Sequence, residues 1–505
     1  MANVNVVSSL NHSQTGIEEG GDVVVVMVPF LAQGHLNPLL HLSRLVSSYN
    51  LPIYYLGYSD KISLVKRRVH GWNPFTTCNI HFQEFPNPPS HELSHDQLYG
   101  SNKSSHQIAS RFILPILDES LMLREPVGAF LLEIAKKTRR VVVIYDSLMA
   151  SVVQDIVSIP NAEAFCFNVS SAFMICSMYL EEAVRRFHLP TFVGKFIGRI
   201  LLPNGFQFPN NIPSFQNCFI PKFMDFILMQ DRVNTFCSGN LYSTCKAVEG
   251  PYLNVLSKFN KLLRKGKQWA IGPLHPIAPL PSALPLKEDD DQNINRRHKC
   301  LKWLDKQEPN SVILVSFGTT SSLSSEQIKE LAIGLEKSQQ KFIWIVRDAL
   351  LLREDDQQVQ IPQDYEERVE GTGVVVKDWA PQLEILEHSS TGGFLSHCGW
   401  NSVLESITSG VPLATWPMLF DHPRIAVLVT KVLKIGIVVK DWEKRDELIT
   451  STTVETVVRK LMASAEGNEM RMRVIELSKK VRQSMIDGGD YTTEMDSFIA
   501  HITRC

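Results

Sequence analysis

DVVVVMVPF, residues 22–30, is a short, unbroken, β-branched run, the composition of a parallel strand covered on both faces. The turn LAQGHLNP (31–38) follows, then a helical pattern with Leu36, Leu39, Leu40 and Val46 on one side. LPIYYLGY (51–58) reads as the next strand, so the chain opens β-loop-α-β. RRVVVIYDS (139–147) is a further buried strand that ends on an acidic residue. The alternation restarts with NSVILVSFG (310–318) and a helix over 324–338, SSEQIKELAIGLEKS. Ser324 and Gln327 have the spacing of a capping box, and Ile328, Leu331, Ala332 and Leu335 share one face. KFIWIV, GVVVKDW, GGFLSH and VPLATWP complete the second set of strands. Repeated βα units in each half predict an α/β protein with two doubly wound sheets, and ligands beyond the carboxyl ends of their strands.

Length agrees with two bodies. A chain of 505 residues exceeds the ~250–300 that one hydrophobic core serves. The segment 274–297, LHPIAPLPSALPLKEDDDQNINRR, has linker composition: four prolines, then an acidic polar stretch. The expected organisation is a disordered leader over 1–21, an N-terminal domain over 22–273, the linker, a C-terminal domain over 298–484 and a final helix over 485–505. The acidic run Asp289–Asp291 lies in the linker, so it reads as solvated rather than as a metal site.

Composition excludes several classes. Hydrophobic residues make up 44% and charged residues 21%, so the chain is globular. Fifty-one basic against 53 acidic residues leave no electrostatic footprint for nucleic acid. Nine cysteines, an odd number with no CxxC pair, fit a reducing compartment better than a disulfide scaffold or zinc cluster. The first 21 residues lack an apolar signal core, and no run approaches the ~20 apolar residues of a membrane span. A cytoplasmic monomer is expected. Neither GxGxxG after a strand nor GxxxxGK[ST] occurs, which disfavours dinucleotide dehydrogenases and P-loop phosphotransferases.

The chemistry concentrates in WAPQLEILEHSSTGGFLSHCGWNSVLESITSGVPLATWPMLFDH, residues 379–422. A strand leads into a turn of polar and small residues, His397 to Ser402, and then a helix. A helix N-terminus with free N–H groups suits an anion. A bland alternative is a Ser402–Glu405 capping box that serves the helix alone. In the N-terminal half, His35 lies in the turn after the first strand, where a doubly wound fold places functional groups; a turn or capping histidine is the bland alternative. Asp146 ends its strand, where a helix N-cap is the bland reading.

The 44-residue stretch resembles the donor box of the plant family 1 UDP-dependent glycosyltransferases: W-A-P-Q, H-C-G-W-N-S, E, G-V-P, W-P and D stand at the family's spacing. The likeness extends to VPFLAQGHLNP, VILVSFGT and FIWIVR, and VHGWNP, YDSLMAS and VLVTKVLKIG look nearest to the zeatin O-glycosyltransferase branch. The resemblance implies a GT-B fold: two Rossmann-like domains facing across a cleft, acceptor in the first, UDP-sugar in the second. It implies that Trp379 stacks on uracil while the Ala380 backbone reads its edge. Gln382 and Glu405 would hold the ribose. His397, Asn401, Ser402 and Thr319 would bind the diphosphate, and the Trp400 backbone, Asp421 and His422 would contact the sugar. His35 would deprotonate the acceptor, with Asp146 orienting it, in an inverting displacement. Phe30, Phe173, Met174 and Phe420 would line an apolar acceptor pocket for a cytokinin, flavonoid or terpenoid alcohol. No cofactor beyond the UDP-sugar co-substrate and no metal is expected. Rival readings are a UDP-sugar epimerase of the same architecture and a silent UDP-sugar binder; the His35–Asp146 pair argues against both. One departure stands out. Glucosyltransferases of the family commonly end the box Asp-Gln, whereas this chain ends it Asp421-His422. In some members that histidine accompanies galactose or pentose donors, so glucose, xylose, arabinose and galactose all stay open.

Overall fold

A computed structural model describes residues 23–68, 79–88, 105–186, 208–262, 265–277, 298–318, 323–346, 361–362, 364–377, 379–486 and 488–504. The leader, the proline-rich segment 278–297 with its acidic run, Thr319, His70, His91 and His95 lie outside the described residues.

Two parallel sheets organise the chain. The first has seven strands: β1 (Val23–Val28), β2 (Ile53–Tyr58), β3 (Ile80–Phe85), β4 (Arg140–Asp146), β5 (Ala162–Asn168), β6 (Gly239–Tyr242) and β7 (Lys267–Ala270). The second has six: β8 (Val312–Ser316), β9 (Lys341–Ile345), β10 (Gly373–Val376), β11 (Thr391–Ser396), β12 (Leu413–Thr415) and β13 (Gly436–Val438). Their spatial orders are 3-2-1-4-5-6-7 and 10-9-8-11-12-13. Both are the doubly wound order, in which the chain reverses direction beside its first strand. The reversal falls between β1 and β4 in one sheet and between β8 and β11 in the other.

Burial explains the strand composition. All six residues of β1 and all five of β8 are buried, because helices cover both faces. At ~1.5–3 kcal/mol per fully buried aliphatic side chain, these runs are strong determinants of the sheets. Helix α1 (Gln33–Ser47) lays Leu36, Leu39, Leu40 and Val46 on the first sheet. Helix α2 (Ala172–Arg186) and helix α3 (Pro221–Val233) cover its other face. Fully buried Glu249 accepts from Ser171 Oγ (2.6 Å) and from the backbone N–H groups of Ala172 and Phe173, and so caps α2.

In the second sheet, helix α4 (Ser325–Ser338) starts at Ser324, whose Oγ accepts from the Gln327 N–H at 3.2 Å. The reciprocal half of that box is not made: the Gln327 amide donates instead to the Ile449 carbonyl. Helix α5 (Gln382–Glu387) leads to β11, and α6 (Trp400–Ser409) follows it. The segment after the second sheet ends in α7 (Asp490–Ile502), which packs on the first sheet. Its Phe498 meets Phe165 and Trp269, and its Ser497 accepts from the Trp269 indole N–H.

Candidate functional site

The site grows from the two reversal points. The β1–β4 register pairs Val28 with Tyr145, so Asp146 stands just past the end of β1. The turn after β1 carries His35 into the first turn of α1. Two residues 111 positions apart thus meet: His35 Nδ1 lies 2.8 Å from Asp146 Oδ2. Asp146 is fully buried, and its other oxygen accepts from the Leu148 N–H at 2.9 Å, capping a 3-10 turn over Ser147–Met149. It therefore does both things open to it: it caps a turn and it holds the histidine. His35 is 22% exposed and stands edge-on to Phe30. Burial favours its neutral form, but the Asp146 charge and hydrogen bond, with the Asp421 charge, outweigh burial and raise its pKa above the ordinary imidazole value.

At the second reversal point, Ser316 ends β8 beside Ser396, which ends β11. His397 comes next, pressed against two glycines. A Cβ on Gly318 or Gly399 would sit 2.6 or 2.5 Å from His397 Nε2, so glycine is required at both. Cys398, between them, takes φ 70°, a left-handed turn that frees α6 to begin at Trp400. The helix starts two residues earlier than the sequence suggests, which leaves Ser402 inside its first turn. No Ser402–Glu405 box forms. Instead the Gln382 amide donates to both Ser402 Oγ (2.9 Å) and Glu405 Oε2 (2.7 Å) and accepts from Ser316 Oγ (3.1 Å). Burial pushes the Glu405 carboxyl up to about 7; the Gln382 donor opposes that shift and Glu387 adds to it.

The far end of the box faces the first domain. Asp421 accepts from Ser170 Oγ at 2.6 Å, and burial raises its pKa against the pull of that bond and of His35 and His397. His422 is buried, edge-on to His397 at 4.9 Å, and accepts the Leu419 N–H on Nδ1 at 3.3 Å. Burial lowers its pKa to about 3, so it is neutral at physiological pH with its proton on Nε2. Other contacts close the cleft. The Trp400 indole donates to the Ser243 carbonyl and Asn401 Nδ2 to the Gly34 carbonyl, both at 2.8 Å. The Phe420 N–H donates to the Cys218 carbonyl at 2.9 Å. Buried Arg424 pairs with Glu181 and donates to Ser177 Oγ.

One cavity of about 390 Å³ joins these groups. His35, Gln382, His397, Trp400, Asn401, Ser402, Glu405, Asp421 and His422 all line it, with Phe30, Met174 and Phe420 among its apolar walls. Four expected residues do not line it, and one of them is Asp146, which is fully buried and reaches the cavity only through His35. Phe173 packs its ring on Tyr252 and Phe208 in the core, because the turn of α2 that carries it points that side chain away from the cleft. Trp379 is 39% exposed, and its neighbour Ala380 is buried. Conversely, Ser170, Ser316, Gly318 and His275 also belong to the site. Ser316 and Gly318 fall within VILVSFGT, whereas Ser170 has only its place just past a strand end as a signal and His275 has none. Among the described residues no group of three or more His, Cys, Asp or Glu side chains is placed to hold a metal ion, and no helix is long and apolar enough to cross a membrane.

Comparison with known proteins agrees with this geometry. Residues 21–276 match the glycosyltransferase N-terminal domain family. The chain is 45% identical over 487 residues to zeatin O-xylosyltransferase of Phaseolus vulgaris, covering 95% of this chain and 98% of that one. It is 45% identical over 491 residues to zeatin O-glucosyltransferase of Phaseolus lunatus, covering 95% and 97%. Among solved structures, Phytolacca americana UGT2 complexed with UDP-2-fluoro-glucose and pterostilbene aligns with TM-score 0.72 at 23% identity, over 96% of this chain and all of that one. The fold is that of the GT-B glycosyltransferases. The chain belongs to the plant UDP-dependent glycosyltransferases, in the branch of the zeatin O-glycosyltransferases, and is an enzyme of that class.

Proposed function

We propose that the protein transfers one sugar from UDP to a hydroxyl of a small plant metabolite, with inversion at the anomeric carbon. The observation that carries this reading is the shared cavity: His35 of one domain, held from behind by Asp146, and the Gln382–Glu405 pair of the other open onto the same space. Asp146 fixes His35 with Nδ1–H toward the carboxylate, which leaves Nε2 free to accept a proton. The acceptor O–H gives that proton to Nε2, its oxygen bonds to the anomeric carbon, and the bond to UDP breaks. Asp146 stabilises the imidazolium that forms. The charge that develops on the departing diphosphate meets the N-terminus of α6, His397 and Asn401, with Thr319 expected beside them. No metal is needed in this scheme. Gln382 and Glu405 hold the ribose, Trp379 covers the uracil above Ala380, and Ser402 keeps Gln382 in place. Asp421 and His422 contact the sugar.

The named relatives act on zeatin, so a cytokinin is the acceptor to test first, and their donors differ, so both xylose and glucose belong in the panel. The seven described cysteines are free thiols, which fits work in the cytoplasm. Both halves of the site come from one chain, as a monomeric enzyme requires. The test incubates purified protein with zeatin and UDP-glucose, UDP-xylose, UDP-galactose or UDP-arabinose, with products read by mass and anomeric configuration by NMR. A β-linked zeatin glycoside supports the reading. Sugar isomerisation without acceptor, or tight UDP binding with no turnover, overturns it.

A further inference from the structure

The same cavity has a polar region that neither the donor nor the His35 chemistry uses. It lies on the α2–α3 face of the first sheet and is lined by Asn168, Asn234, Asn240 and Lys265. Asn168 ends β5 and Asn240 lies on β6. Neighbouring strands stand roughly 5 Å apart, which places β6 roughly 10 Å across the sheet from β4 and Asp146.

Each amide is oriented by fixed partners, and Asn168 Nδ2 also reaches Cys166 Sγ at 3.9 Å. Asn240 Nδ2 donates to the Lys265 carbonyl at 2.9 Å, and Asn168 Nδ2 to the Leu241 carbonyl at 3.3 Å. Asn234 Oδ1 accepts from the Tyr145 hydroxyl at 2.5 Å. That leaves Asn168 Oδ1, Asn240 Oδ1 and Asn234 Nδ2 without a hydrogen-bond partner among the described residues: two acceptors and a donor. Asn240 is only 6% exposed, yet it lines the cavity, so its remaining surface opens there. Lys265 is engaged by Asp231 at 2.9 Å and lies over the Tyr179 ring, so its charge is answered before any ligand arrives. The same cavity also has apolar walls, with Met174, Phe219 and Phe223 among them.

These amide atoms are accessible from the cavity, so a ligand there can hydrogen-bond to them. Neutral amides that offer both donor and acceptor suit the edge of a nitrogen heterocycle; an asparagine amide reads the edge of adenine in this way. We infer that Asn168, Asn234 and Asn240 form an acceptor subsite for a planar, aminopurine-like ring, joined by an apolar spacer to the hydroxyl that His35 deprotonates. This assignment rests on the glycosyltransferase reading above and adds to it which end of the acceptor is recognised, and by what.

The test compares zeatin with geraniol, an allylic alcohol without a ring, at a saturating UDP-sugar. Asn240→Leu is expected to lower the ratio of kcat/KM for zeatin to that for geraniol about tenfold. Asn168→Ala, at a half-buried position, is expected to move the ratio the same way and serves if Asn240→Leu does not fold. An unchanged ratio in folded variants overturns the subsite. Calorimetry with N6-isopentenyladenine, which lacks the hydroxyl, in the presence of UDP separates the two readings. Binding by the parent protein that weakens in the variants supports the subsite even if no glycoside forms. No binding by the parent overturns the subsite even if zeatin is glycosylated.

Discussion

The two domains share a strand order and place their ligand groups at the same point of it, yet they assemble those groups in opposite ways. In the second sheet nearly the whole constellation lies within residues 379–422, on one α-β-turn-α passage that crosses the reversal point. In the first, the groups come from positions 30, 35, 146, 170, 174 and 240, carried by separate strands and by the turns and helices that follow them. A compact motif suits a ligand whose shape does not vary, such as UDP. A dispersed site suits an acceptor whose shape does, because each wall can change without disturbing the others. The difference predicts that damage in the first domain falls on catalysis and acceptor choice, and damage in the second on donor affinity.

Substitution of the base tests the first half of that statement most strongly. His35→Ala is expected to lower kcat by ~10²–10⁴ while UDP affinity, measured by calorimetry, holds. A comparable loss of UDP affinity would break the comparison. Asp146→Asn is expected to cost less, because an amide oxygen can still cap the Leu148 N–H. Its signature is in the pH profile. His35 must be neutral to act, and Asp146 raises its pKa, so activity climbs with pH through that raised value. Removing the charge should move the acid limb to lower pH; an unmoved limb would mean that another group titrates there.

The donor side should respond differently. Glu405→Gln is expected to raise the KM for UDP-sugar about tenfold or more, since a carboxylate accepts from a diol more strongly than an amide does. It should also stabilise the unliganded protein. Glu405 has a folded pKa of about 7 against an ordinary value near 4.5, so the native state binds more protons across that window. Stability is therefore lost as pH rises from about 4.5 to 7, and the variant should not show that loss. A rise in Tm of about 2–4 °C at pH 8 corresponds to each kcal/mol recovered. His422→Gln should have a smaller effect, a shift of donor preference toward glucose. The neutral His422 offers one N–H, whereas glutamine offers a donor and an acceptor. Glucose transfer indifferent to the change would make His422 a neutral substitution. The smallest expected effect is that of EDTA, which should leave the rate unchanged; a loss restored by a divalent cation would show that the α6 N-terminus and His397 do not suffice for the leaving group.

Much of this was legible from the chain alone, and unevenly. The strands announce themselves, because a fully covered parallel strand must be apolar on both faces, as VVVVMV and VILVS are. The residues proposed to hold the donor stand out because they are neighbours in sequence. Boundaries were less so. The start of α6 shifted by two residues because Cys398 takes a left-handed turn that no propensity signals, and the shift redirected Ser402 from a cap to Gln382. Phe173 and Met174 are adjacent and alike in composition, yet one faces the core and the other the cavity. A helix turns ~100° per residue, and only packing decides which face looks inward.

What the sequence determined by itself is the succession of buried strands, the two-body organisation and the residue types of the donor box, since each depends on local composition and spacing. What the tertiary structure decided is every relation between distant segments. His35 finds Asp146 only because β1 and β4 lie side by side at a reversal point. Asp421 meets Ser170 only because the two domains close on each other. Three asparagines become one subsite only because β5, β6 and α3 converge on one cavity. Such contacts span 73 to 251 positions of chain, and the packing of whole sheets and helices, rather than any local preference, sets where those positions meet.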